Sequence, residues 1–143
     1  MSTTTDGNYA LNEIQYHHQS AACTSLSFYA LNYQGYDDLH TLPSSWTGHY
    51  NGDGVSLSSD GTTWYLAWQG PGSTNWYVQQ TIDPSLYVTD ITNFYIRFQQ
   101  YDNYYIGGAT IDGMCYDDIQ LDVNNFIYEP QNNTVTKCNV SYN

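Results

Sequence analysis

The stretch Asp37–Tyr65, DDLHTLPSSWTGHYNGDGVSLSSDGTTWY, decides how this chain is read. Within it, Asp53-Gly54 opens an alternating segment, Val55–Ser58, and Asp60-Gly61 leads into a second, Thr63–Gln69. Asp-Gly supplies the positive-φ positions of a tight hairpin turn, so the two segments are expected to pair as antiparallel strands. Ahead of them Gln34–Asn51 carries Gly, Pro and paired Asp and reads as a long ordered loop. Loops of that length in compact domains tend to carry function. Two later stretches have the same character: IRFQQYDNYY (Ile96–Tyr105) and DGMCYDDIQLD (Asp112–Asp122). Each couples a short alternating strand to a turn rich in Asp, Asn or Gly, a binding design before a catalytic one.

Outward from this run the chain is punctuated into strands. Tyr9–Gln19 alternates through Leu11, Ile14 and Tyr16, and Ser25–Tyr33 sets Leu26, Phe28, Ala30 and Asn32 on one face. Gly70-Pro71-Gly72 breaks the chain before an expected strand Trp76–Ile82, which Asp83-Pro84 ends. Phe94–Gln100 opposes Phe94, Ile96 and Phe98 to Tyr95, Arg97 and Gln99, and Met114–Val123 is the last clear strand. Phe126–Tyr128 and Thr134–Val140 are candidates for one or two more. Strands at this spacing, with no segment of helical period, predict an all-β sandwich of two antiparallel sheets.

Composition bounds the partners. At 143 residues the expectation is one domain over 1–143, with an N-terminal tail (1–8) and a C-terminal extension (126–143). Two basic residues against 14 acidic ones give a net charge of −12, which disfavours nucleic acid and anionic membrane surfaces. No run of 18 apolar residues exists, so membrane insertion is not expected. Few charges, 16 Tyr and abundant hydroxyl and amide side chains fit an extracellular β-protein, secreted or on a cell surface. Met1 leads into Ser2-Thr3-Thr4-Thr5-Asp6, not a signal peptide, and is read as a start placed on a mature fragment. Cys23, Cys115 and Cys138 lack metal-finger spacing. One disulfide and one spare thiol are expected, with the pairing open among the three.

The order of these features resembles the MAM-type branch of the concanavalin A-like jelly rolls over Leu26–Leu121. The resemblance runs from Leu26-Ser27-Phe28-Tyr29 through Gly54-Val55-Ser56-Leu57, Gly61–Trp64, Trp76 and Phe94–Phe98 to Tyr116-Asp117-Asp118-Ile119. The run HTLPSSWTGHYNGDGVSLSSDGTTWY, with IRFQQYDNYY and DGMCYDD, resembles a module of secreted multidomain bacterial proteins. The resemblance implies a jelly-roll sandwich that binds or adheres. The usual four-cysteine framework is absent, and little sequence precedes Leu11 to supply the strand found there, so Phe126–Tyr142 fills that place or an edge stays open.

The resemblance also implies a structural calcium, held by a late-strand carboxylate, Asp117 or Asp118, and one from Glu13, Asp37 or Asp38. Hard cations need several oxygens about one point, and crowded carboxylates repel unless a cation sits between them. Against this, Asp-Gly carboxylates such as Asp60 more often only cap turns. A glycan site needs an aromatic face with amides and carboxylates beside it. Trp46, Tyr36 and Tyr50 in the long loop, with Gln99, Tyr101, Asp102 and Tyr104 after the later strand, form the candidate ligand set. Trp64, Trp68 and Trp76 are expected in the core, and Arg97 in an internal ion pair with an Asp.

His17 and His18 are expected to face opposite ways, and His40 and His49 to brace the loop rather than bind zinc or copper. Asn132 and Asn139 head glycosylation sequons, which matter only in a glycosylating cell. Catalysis is not expected. Glu13 and Glu129 are the only glutamates and lie far apart in sequence. Asp118 and Asp122 on one strand face would sit roughly 13 Å apart, too far for paired acids, and no nucleophile elbow is present. The chain is therefore expected to be a non-catalytic, calcium-stabilised carbohydrate-binding or adhesion module. The alternative is a subunit that self-assembles by strand addition into a fibre or matrix.

Overall fold

The computed structural model describes residues 10–33, 39–71, 74, 76–102 and 113–124. They form eight strands: β1 (Ala10–Gln19), β2 (Ala22–Tyr33), β3 (Ser45–Thr47), β4 (Gly54–Ser58), β5 (Thr63–Gln69), β6 (Val78–Ile82), β7 (Asn93–Asp102) and β8 (Gly113–Asn124). Among the described residues one 3-10 turn, Pro84–Leu86, is capped by Asp83, whose carboxylate accepts from Ser85 N. All the pairing is antiparallel, in a five-stranded sheet of order β1-β7-β4-β5-β3 and a three-stranded sheet β6-β2-β8. The expected strands Phe126–Tyr128 and Thr134–Val140, the tail 1–8 and the extension 126–143 lie outside the described residues.

The two-faced pattern of β7 explains how the layers form. Phe94, Ile96 and Phe98 face the smaller sheet and close a core with Leu26, Phe28, Ala30, Val55 and Leu57, all buried. The aromatic members meet edge to face, Phe28 with Phe98 at 5.4 Å and Phe98 with Tyr116 at 4.9 Å between ring centroids, the arrangement that ring quadrupoles favour. The other face of β7 is buried as well. Arg97 and Gln99 are 2% and 1% exposed, because the chain between β3 and β4 crosses over them, and a second apolar cluster of Leu42, Trp46 and Trp64 lies on that side.

Three sequence expectations are corrected here. The long loop contains β3, three residues paired with β5 through Trp46 and Trp64. Trp76 lies outside β6 and is 67% exposed rather than in the core. Strand β8 does not alternate without a break. A bulge opposite Ser27–Tyr29, with Asp118 at φ 48°, shifts the pattern. Tyr116 and Leu121 thus both pack inward, although their spacing predicts opposite faces.

Candidate functional site

The β3–β4 connection is held from beneath by side chains of β7 and β1. Arg97 Nη1 donates to Gly48 O at 2.8 Å. Gln99 Nε2 donates to Tyr50 O at 2.8 Å and Gly52 O at 3.0 Å. Glu13, paired with Gln99 across the β1–β7 ladder, bridges the Arg97 guanidinium and the His49 imidazole. Its Oε1 lies 3.2 Å from Arg97 Nη1 and its Oε2 lies 2.6 Å from His49 Nδ1. Gln15, with its amide oxygen toward the guanidinium, accepts from Arg97 Nε at 3.1 Å and Nη2 at 2.7 Å. The guanidinium carbon sits 3.7 Å from the centroid of the Trp64 ring, a cation–π contact strengthened by burial. Burial pulls the Arg97 pKa below the usual arginine value, and the Glu13 carboxylate opposes that shift.

The end of the connection is pinned by Asp53, whose side chain is wholly buried. Its carboxylate accepts from His40 N at 2.7 Å and Tyr101 N at 2.8 Å. Burial pushes its pKa up against these two hydrogen bonds and the nearby His40. Gln69 Nε2 donates to Asp53 O, and Tyr116 Oη donates to Gly54 O and Gln99 O. The strap 48–53 is thus fastened at several points by buried polar groups, although its tip faces solvent. Tyr50 is 42% exposed and the His49 side chain 73%. With Asn51 they line an open depression of about 400 Å³.

The expected ligand set divides. Tyr50 is presented at the tip of the strap. Trp46 is only 8% exposed, packed with Leu42 and Trp64 and tilted against Tyr50 at 6.0 Å, so it supports the tip rather than offering a stacking face. Gln99 likewise acts from below. Tyr101 and Asp102 end β7, half-buried, and Tyr36 and Tyr104 lie outside the described residues. Arg97 pairs with Glu13, not with an aspartate. His49 binds Glu13 and His40 lies 3.9 Å from Asp53, so both histidines brace the loop. His17 and His18 do face opposite ways, His17 stacked on Tyr95 and His18 packed on Phe94.

Of the expected calcium ligands, Glu13 and Asp117 are not brought together. Glu13 lies on the outer face of the larger sheet, engaged by Arg97 and His49. Asp117, opposite Tyr29, lies on the outer face of the smaller one. The two point away from each other and cannot share an ion. Asp118 N donates to Asp117 Oδ1 at 2.9 Å, and Asp37 and Asp38 lie outside the described residues. Among the described residues no group of three or more His, Cys, Asp or Glu side chains is placed to hold a metal. Asp60 caps the β4–β5 turn, its Oδ1 accepting from Thr62 N and Thr63 N at 2.7 Å each. Cys23 is buried and Cys115 exposed, and both are free thiols.

Sequence reasoning missed the exposed pair Trp76 and Tyr77, 67% and 46% exposed beside β6. The signal was present in Gly70-Pro71-Gly72, a break that delays the strand beyond Trp76. The chain matches no protein-family profile, no curated protein and no solved structure.

Proposed function

We propose that this protein is a non-catalytic, extracellular carbohydrate-binding or adhesion module of jelly-roll type that takes a neutral glycan on the tip of its strap. The observation that supports this reading best is the burial of Arg97, Gln99 and Glu13 beneath an exposed loop. Burying such polar groups costs free energy, and here their bonds to Gly48, Tyr50 and Gly52 fix a short loop that carries Tyr50, His49 and Asn51 outward. A tyrosine ring with an amide and an imidazole beside it has the chemistry that stacks on a pyranose and satisfies its hydroxyls. Holding the loop in place beforehand spares the ordering cost of binding. The net charge of −12 favours neutral over sulfated or uronic-acid glycans.

The same reading draws on the resemblance to MAM-type modules for its jelly-roll and extracellular parts. Calcium within it depends on Asp37 and Asp38 joining Asp117 and Asp118, since the described residues alone fall short of the six to eight oxygens that the ion takes. The test is a panel of neutral and anionic glycans presented with calcium and then with EDTA. Binding to a neutral member supports the reading. A silent panel, or binding confined to polyanions, overturns it.

A further inference from the structure

The two sheets of the sandwich do not match in width. Tyr116 of β8 reaches across to Gly54 of β4 and Gln99 of β7, so β8 lies above those strands. Strand β1, the edge strand beyond β7 among the described residues, extends past the cover of the smaller sheet. Two apolar residues on its inward face are consequently bare, Ile14 at 71% and Tyr16 at 51% exposed. This ten-residue edge carries no Lys, Arg or Pro, the residues by which natural proteins blunt such edges. Its one acid, Glu13, is already balanced by the Arg97 guanidinium.

We infer that β1 is the contact between two copies of this chain, paired edge to edge about a two-fold axis at Gln15. The choice of register follows from the ladder. Tyr101 N–H turns toward Asp53, on the β4 side of β7. By antiparallel alternation the even-numbered residues of β7, and with them Ile14 and Tyr16, make the β1–β7 bonds. The N–H and C=O groups of Glu13, Gln15 and His17 therefore point away from β7, to the side that no described strand pairs, and a two-fold partner must pair odd with odd residues. Centred on Gln15, this sets Ile14 against the partner's Tyr16 and Tyr16 against the partner's Ile14. It sets Glu13 against the partner's His17, and Leu11 against the partner's Gln19. Both bare apolar residues thereby gain an aliphatic–aromatic cross-strand neighbour, and no like charges meet.

The edge of β8 offers no comparable self-match. Asp117, Asp118 and Asp122 are all exposed along it, and two-fold pairing would crowd them against their own copies in a chain already at −12. A two-fold β1 contact closes at two chains and joins the five-stranded sheets into one of ten strands. It is independent of the glycan reading.

The test is sedimentation velocity on the full chain over a wide concentration range, with Ile14→Lys as the variant. Ile14 is too exposed for that change to threaten the monomer fold, and equal circular dichroism spectra check this. Wild type is expected at twice the chain mass, dissociating on dilution, and Ile14→Lys should weaken the dimer by about tenfold or more. In hydrogen exchange the amides of Glu13, Gln15 and His17 should gain protection with concentration. A wild type that stays monomeric at every concentration overturns the inference, including one in which residues 125–143 cover Ile14. So does a dimer that Ile14→Lys leaves intact, or an open-ended polymer.

Discussion

Arg97 shows what a single buried charge demands. Its guanidinium is enclosed by Trp64, Gln15, Glu13 and the Gly48 carbonyl, so removing any partner leaves a cation short of compensation in a site that water does not reach. Glu13→Ala should cost about 3–5 kcal/mol in urea unfolding, the range for breaking a buried pair. Glu13→Gln, which keeps a polar partner, should cost less. Equal losses would mean that the charge matters no more than the shape. Asp60 makes a separate prediction in pH. Three hydrogen bonds from Thr63 N, Thr62 N and the Ser58 hydroxyl lower its pKa to about 2. The stability it contributes is therefore present above the usual carboxylate value and lost as pH falls toward 2. Melting temperature should drop across that window, and Asp60→Asn should flatten the drop. Asp53 has the opposite sign: its raised pKa favours the fold when protonated, and that contribution fades as pH rises through the shifted value. That Arg97 would sit in an internal ion pair was legible from its scarcity and its place among aromatics. That the partner is Glu13 was not, because only the β1–β7 register brings the two together.

Among the elements, the strap and the β4–β5 hairpin differ in how far local sequence determines them. The hairpin follows from Asp60-Gly61 alone. Gly61 adopts φ 73° and Asp60 caps the turn, chemistry contained within a few residues. The strap has no such local code. Its path is set by Gln99 and Arg97 on a strand much later in the chain, and β3 just before it exists only through pairing with β5. Periodicity could not reveal either, nor the β8 bulge that moves Leu121 inward. Gln99→Ala should free the Tyr50 and Gly52 carbonyls from their shared donor and cost about 1–3 kcal/mol. Amide exchange should quicken in residues 48–52 before the core strands are affected. Uniform quickening across both sheets would show that Gln99 supports the sandwich as a whole rather than the strap.

For the molecule as a whole, the sequence reading anticipated an all-β chain with two antiparallel sheets, which the described residues form. The candidate site was only partly legible. Loop composition pointed to the segment proposed here, and side-chain exposure separates Tyr50, which is presented, from Trp46, which is packed. A loop tryptophan and a loop tyrosine look alike until the layer beneath them is known. Calcium is decided at this scale too. If Asp37 and Asp38 complete a site with Asp117 and Asp118, added calcium raises the melting temperature and EDTA reverses the rise by linkage. An unchanged melt in both removes the ion from the account.

On the proposed function, the strap offers Tyr50 to a glycan without leaning on it for stability. Calorimetric titration of the best neutral glycan from the panel, into wild type and Tyr50→Ala of matched melting temperature, tests this most directly. The expected result is an affinity loss of about tenfold or more in the variant, on the order of a lost stacking contact. Equal affinities at equal stability would contradict it, placing the ligand elsewhere on the molecule.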